Sequence, residues 1–208
     1  MCAINGISSI NIDAVRRMNA ATRHRGPDAS NIWNDEHVTL GHNRLKIIDL
    51  SNSANQPMTS ADGRYTIVFN GEIYNFKELR KQIHYAFRSE SDTEVLLAGY
   101  IERGPSILND VNGIFAFAIW DSLEKILFLA RDHNGIKPLY YSISNGVLIF
   151  SSEIKGILEY PSVQRAIAVE ALAHHFQLQY TPEPLTLFRD IYKMPAGYFG
   201  IFKNRTLQ

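Results

Sequence analysis

The chain holds a single cysteine, Cys2, directly behind Met1. A lone cysteine is ordinarily a small buried hydrophobe, but a thiol at the second position is also a candidate nucleophile. One cysteine excludes an internal disulfide and any multi-cysteine zinc site. The 7 histidines include no HExxH-type pair, so no metal site is expected. His174 and His175 are adjacent and project differently on a helix, as ordinary helix residues do. Three other places carry polar groups suited to chemistry: Arg44, Asn70-Gly71 and Asp92. Taken alone they read as a surface ion pair, a type I′ turn and a helix N-cap.

The elements that must position these groups show in the apolar pattern. With 208 residues, 45% of them hydrophobic, the chain suits one globular domain with a sizeable core. Lys plus Arg is 21 and Asp plus Glu is 21, a balance that argues against electrostatic capture of nucleic acid or an anionic membrane. The longest apolar stretch, Ile114 to Trp120, falls short of the roughly 20 residues a bilayer-spanning helix needs. The N-terminus lacks the basic start and apolar core of a signal peptide. A soluble, cytoplasmic chain is expected.

Ala14, Val15, Met18 and Ala21 predict a helix over 12–22, ended by Gly26-Pro27. Val38–Leu40 and Tyr65–Asn70 predict strands. Asn75 with Glu78 forms a capping-box-like helix start, and Ser91 and Asp92 can cap another helix that ends at Gly104-Pro105. Strands are predicted over 113–120 and 126–131. A hairpin is predicted over 139–144 and 147–151 across Asn145-Gly146. Helices are predicted over 153–159 and 169–177, and the remainder from Thr181 is rich in turn residues. Strands such as GIFAFAIW are apolar on both faces, which predicts two packed sheets with helices outside them, an α+β layered sandwich.

Several segments then converge: MCAINGI at 1–7, RHRGPD at 23–28, HNRLKIIDL at 42–50, NGEIYN at 70–75, SDTEVL at 91–96, RDHNGIKPLYY at 131–141 and SSEIK at 151–155. In this order and spacing they resemble the glutaminase domain of class II glutamine amidotransferases. RGPD and NGEIYN resemble the glutamine-hydrolysing asparagine synthetase branch in particular. The resemblance covers 1–197, and residues 198–208 are expected to begin a connection to a further domain or a C-terminal tail. It implies the N-terminal nucleophile hydrolase fold, a four-layer αββα sandwich of two mainly antiparallel sheets. Two departures stand out. Ala3 replaces the family's usual Gly, which matters if that position needs a positive φ. MPAGYF replaces a usual Pro-Gly-His segment.

What the resemblance implies for chemistry is specific. Removal of Met1 exposes Cys2 with both a thiol and a free α-amine, whose ordinary pKa of about 7.7–8.0 lets it take the thiol proton near neutral pH. The thiolate attacks the side-chain amide of L-glutamine. The Asn70 side chain and the Gly71 backbone N–H donate to the oxyanion. Ammonia leaves, and water releases glutamate from a γ-glutamyl thioester. Arg44 binds the substrate carboxylate, Asp92 its ammonium with help from Glu72, and the backbone of Leu45, Lys46, Ile47 and Ile48 lines the substrate. Asp132, Gly135, Lys137 and Tyr140 are expected to fix strand connections or touch a second domain, and His42 to be hydrogen-bonded scaffold.

No cofactor is expected for this domain. ATP and Mg²⁺ belong to a synthetase domain that receives the ammonia and is outside this chain. The expected partners are L-glutamine and that synthetase domain or subunit, and a homodimer is one expected assembly. Two other readings share the residues: an N-terminal cysteine hydrolase of another amide, and a catalytically silent regulatory domain of the same fold.

Overall fold

A computed structural model describes residues 1–208. The chain forms two six-stranded sheets in which all paired strands run antiparallel. The first is ordered β10 (Tyr192–Lys193), β8 (Tyr140–Ser144), β9 (Val147–Ser151), β1 (Ala3–Ile7), β3 (Thr39–Arg44), β2 (Ala29–Asn34). The second is ordered β12 (Thr206–Leu207), β11 (Phe199–Lys203), β7 (Ile126–Arg131), β6 (Gly113–Asp121), β5 (Tyr65–Ile73), β4 (Met58–Thr59). Helices α1 (Ile12–Ala21) and α4 (Ile154–Ile157) cover the first sheet. Helices α2 (Phe76–Gln82) and α3 (Asp92–Arg103) cover the second. A fifth helix, α5 (Val169–Leu178), buries little beyond Ala171.

Alternation along the strands builds these layers. In β6, Phe115, Phe117 and Ile119 join the cluster beneath α2 and α3, while Ala116, Ala118 and Trp120 join the cluster between the sheets. At the centre of β6 the helices thus meet Phe115 and Phe117, while Ala116 and Ala118 let the two sheets approach. The same parity runs through β7, where Phe128 and Ala130 face the helices and Leu127 and Leu129 face the other sheet. In β1, Ile4 enters the inter-sheet core and Ile7 packs against α1. The αββα sandwich expected from two-faced apolar strands is the observed architecture. No helix is long and apolar enough to cross a membrane.

Buried amides tie α1 to the helix-facing side of β1 and β3. Asn5 Nδ2 donates to Asn19 Oδ1 at 2.9 Å and to Thr22 Oγ1 at 3.0 Å, and Asn43 Nδ2 donates to the Asn19 carbonyl at 2.8 Å. These bonds fix the strand ends that carry Cys2 and Arg44, although Asn43 Oδ1 itself has no partner.

Some local expectations differ from the structure. Asn75 precedes α2 without capping it, because its amide is spent elsewhere: Nδ2 donates to the Asp110 carbonyl and Oδ1 accepts from Asn112 N–H. At α3 the cap is Ser91, whose hydroxyl accepts from Glu94 N–H at 3.2 Å. The Asp92 carboxylate accepts from Ile73 N–H instead, at 3.0 Å. Strands β1 and β2 were not expected, since MCAINGI is short and ASNIWN lacks clean alternation. Residues 199–207, expected within the start of a connection or a C-terminal tail, form β11 and β12, and β11 pairs with β7 beside the edge of the second sheet. Ala3 is fully buried in β1 and lies outside the left-handed region, so the methyl adds no backbone strain.

Candidate active site

Parity and register bring the candidate residues together from opposite sheets. Ala3 pairs with Asn43, which sets Cys2 opposite Arg44 at the end of the β1–β3 ladder. Both continue the even positions that face the second sheet, where Ile4 and Leu40 lie. Across the gap, Asn70 and Glu72 share the face of β5 that carries Val68 into the inter-sheet core. Cys2, Arg44, Leu45, Ile47, Ile48, Asn70, Gly71, Glu72 and Asp92 line one open cavity between the sheet ends. Lys46 is the exception: its backbone N–H donates to Asp28 Oδ2 at 2.8 Å, and it does not line the cavity.

The RGPD turn clamps the cavity's first wall. Arg25 Nε donates to the Cys2 carbonyl at 3.0 Å and Nη1 meets Glu153 at 3.1 Å. A side chain on Gly26 would collide with the β3 backbone at Asn43 and Arg44, so only glycine lets the turn lie this close. Asp28 reaches the loop after β3 through Lys46 N–H. The Cys2 thiol is half-buried and accepts from Leu45 N–H at 3.4 Å. Burial pushes the thiol pKa up, while the Leu45 N–H, the N-terminal amine and Arg44 pull it down.

Asn70 is buried, and neither its Nδ2 nor its Oδ1 has a partner in the protein. An unsatisfied buried polar group costs about 1–3 kcal/mol, so an amide kept this way at a cavity wall is suited to a ligand. Gly71 follows at the cavity edge, where an added Cβ would sit 2.8 Å from Phe115 Cα. The close β5–β6 approach therefore requires glycine. Beneath this pair, His42 bridges the sheets, its Nε2 at 3.0 Å from the Phe69 carbonyl. Because a carbonyl only accepts, Nε2 carries the proton. Burial lowers the His42 pKa to about 4, so the ring is neutral at physiological pH.

Two opposite charges complete the cavity, and neither has an ionic partner within it. Arg44 is 5% exposed; Nη1 donates to the Ser51 carbonyl at 2.7 Å and to Asn55 Oδ1 at 2.8 Å, and Nη2 donates to the Asp49 carbonyl. These bonds wrap the loop after β3 around the guanidinium but leave Nε without a partner. No carboxylate lies within ion-pair distance of Arg44, and no cation within that distance of Asp92. Burial raises the Asp92 pKa to about 6, and nearby Glu72 adds to the rise. A buried unpaired cation and a buried unpaired carboxylate are costly unless a ligand supplies both counter-charges. A free α-amino acid carries that complement.

Sequence reasoning missed Gln56, Thr93 and Lys137 in the cavity lining. Gln56 holds the wall together: Nε2 donates to Thr93 Oγ1 at 3.1 Å and Oε1 accepts from Phe69 N–H at 2.6 Å. Nothing in its isolated position in the sequence signals this. Asp132 acts as scaffold, its carboxylate accepting from the N–H groups of Phe115, Asn134, Ile136 and Lys137. No group of three or more His, Cys, Asp or Glu side chains is arranged to hold a metal ion.

Comparison with known proteins places the chain in a family. The family model of the glutamine amidotransferase domain matches residues 1–208, and the chain belongs to that family. It is 42% identical over 190 residues to glutamine-hydrolysing asparagine synthetase 1 of Bacillus subtilis strain 168, covering 89% of this chain and 29% of that protein. It is 40% identical over 167 residues to glutamine-hydrolysing asparagine synthetase B of Escherichia coli K12, covering 76% of this chain and 30% of that protein. The chain thus spans about three-tenths of the length of these relatives. Among solved structures, the glutamine phosphoribosylpyrophosphate amidotransferase of B. subtilis aligns over 100% of this chain and 48% of its own, with a TM-score of 0.73. At 17% identity that likeness shows a shared fold.

Proposed function

We propose that this domain hydrolyses L-glutamine to glutamate and ammonia, with Cys2 as nucleophile, and passes the ammonia to an ATP-dependent synthetase domain of the asparagine synthetase type. The observation that carries the reading is the pair of uncompensated charges, Arg44 and Asp92, in one cavity with the only thiol. Arg44 takes the α-carboxylate, and Asp92 takes the α-ammonium with Glu72 beside it. The side-chain amide of glutamine then reaches Cys2.

Removal of Met1 gives Cys2 its own α-amine as base. The amine accepts the Sγ proton, and sulfur attacks the amide carbon. The Asn70 amide and the Gly71 N–H stabilise the resulting oxyanion. The amine returns its proton to the departing nitrogen, and ammonia leaves. Water, deprotonated by the same amine, cleaves the thioester and frees glutamate. This chemistry uses the chain's own groups and water. ATP and Mg²⁺ serve the acceptor domain, which in the named relatives makes asparagine. The absence of an apolar helix long enough to span a bilayer and the balanced charge fit a cytoplasmic setting.

The test is intact mass before and after treatment with 6-diazo-5-oxo-L-norleucine, a reactive glutamine analogue. The expected result is loss of Met1 and one adduct, blocked by excess glutamine and absent in Cys2→Ala. A chain that retains Met1, or never labels, would overturn the proposal.

A further inference from the structure

Lys137 is a cationic cavity residue whose charge the glutamine reading leaves unexplained. It is 8% exposed and lines the cavity beside Met1 and Cys2. Its backbone is fixed at both ends of the residue: N–H donates to Asp132 Oδ2 at 3.0 Å, and C=O accepts from Arg131 Nε at 2.9 Å. Its ammonium has no hydrogen-bond acceptor and no carboxylate within ion-pair distance. The carboxylates that surround it are committed elsewhere. Asp132 is saturated by backbone N–H groups, and Glu153 is held by Arg25, His24 and Lys155. Glu72 is exposed at the rim and forms no ion pair with it.

The side chain is largely buried while its unpaired ammonium reaches the open cavity, where an anion formed beside it would be stabilised. The anion that can arise beside it is the sulfur of Cys2. Resting on the glutaminase reading, we propose that Lys137 is a positioning residue that acts through Cys2, its ammonium serving as counter-charge to the thiolate. A positive charge there disfavours the doubly protonated pair of thiol and α-ammonium. It thereby keeps the singly protonated, reactive pair populated at neutral pH. The proton so released goes to solvent, and no other group changes state.

The surrounding charges agree in sign. Burial lowers the Lys137 pKa, Arg25 lowers it further, and Cys2 pulls it back up. With Met1 in place, the Met1 ammonium is likewise lowered, by burial first, with Arg25 and Lys137 adding to the effect and Cys2 and Asp28 opposing it. Arg44 favours the thiolate and Asp92 opposes it. A cation at Lys137 acts in the same sense as Arg44.

Because Cys2 is the only cysteine, alkylation by iodoacetamide followed against pH reads its ionisation without any substrate. In Lys137→Met the half-rise is expected to move to higher pH, and the rate at pH 7 to fall about three- to tenfold, the lower figure allowing for the greater intrinsic reactivity of a more basic thiolate. Lys137→Arg is expected to keep the wild-type profile, and the glutamine KM is expected to hold in both, since Arg44 and Asp92 bind the substrate ends. An unshifted profile in Lys137→Met overturns the proposal, and so does an equal shift in Lys137→Arg, which would make the effect steric. Failure of the glutaminase reading is a separate result, seen as absence of labelling by the glutamine analogue in the wild type.

Discussion

Two arginine–aspartate sets sit at opposite ends of β5. At its start, Arg64 grips Asp121 side-on, Nε to Oδ1 at 2.9 Å and Nη2 to Oδ2 at 2.7 Å. Asp121, held this way and by the N–H groups of Leu123 and Glu124, has a lowered pKa. At the far end, Arg44 keeps the corresponding Nε open and Asp92 has a raised pKa. The first pair is closed on itself and joins the start of β5 to the end of β6. In the second set the two charges stay apart and face one cavity. The same residue types serve structure where they satisfy each other and recognition where they do not.

Substitutions can sharpen this contrast. The largest effect is expected from Asn70→Ala, which removes the proposed oxyanion donor. The glutaminase kcat should fall about 10²–10³-fold with KM nearly unchanged, and steady-state ammonia release checks it. Arg44→Ala should act mainly on KM, raising it about 10–100-fold by the loss of charge-assisted bonds to the carboxylate. A rise in KM of the same size in Arg64→Ala would erase the distinction between the two sets.

The pH dependence follows from Asp92. Its folded pKa of about 6 lies above the ordinary 3.8. Only the ionised form pairs with an α-ammonium, so the Kd for glutamine should rise as pH falls below about 6. Isothermal titration across pH 5–8 would show this, with proton release on binding near pH 6. The stability effect has the opposite sense: the raised pKa costs stability as pH rises from about 4 to about 6, and the cost stays constant above that. Asp92→Asn should therefore weaken binding while raising stability at pH 8 by at most about 3 kcal/mol. His42, lowered to about 4, adds stability above pH 6.5 that is lost as pH falls toward 4. The smallest kinetic effect is expected from Arg64→Ala. It should lower Tm by a few degrees and leave kcat and KM at wild-type values.

Much of this contrast is legible in the sequence, because alternation and turn chemistry are local. GIFAFAIW announced a strand buried on both faces, and Asn145-Gly146 announced its hairpin. The ordered motifs named Cys2, Arg44, Asn70 and Asp92 without any knowledge of which sheet each would join. What could not be read depends on pairing across long separations. Asn75 looks like a cap, yet its amide is drawn to the strand of residues that precede β6. β1 and β2 are strands because β3 offers both its edges to them. Lys137 looks like part of a structural turn, and only the closeness of that turn to the N-terminus brings it into the cavity that Cys2 lines. Lys46 sits within the substrate-lining motif, yet Asp28 holds its backbone outside the cavity lining.

Arg44 and Asp92 each leave their charge unpaired at the cavity, as the two ends of a free amino acid would require. Competition against labelling of Cys2 by 6-diazo-5-oxo-L-norleucine tests that recognition most directly. The competitors are L-glutamine, glutaramic acid, which lacks the α-amine, and 4-aminobutanamide, which lacks the α-carboxylate. The account predicts protection by L-glutamine and little by either truncated amide at the same concentration. Equal protection by all three would contradict it, since the cavity would then be recognising an amide alone.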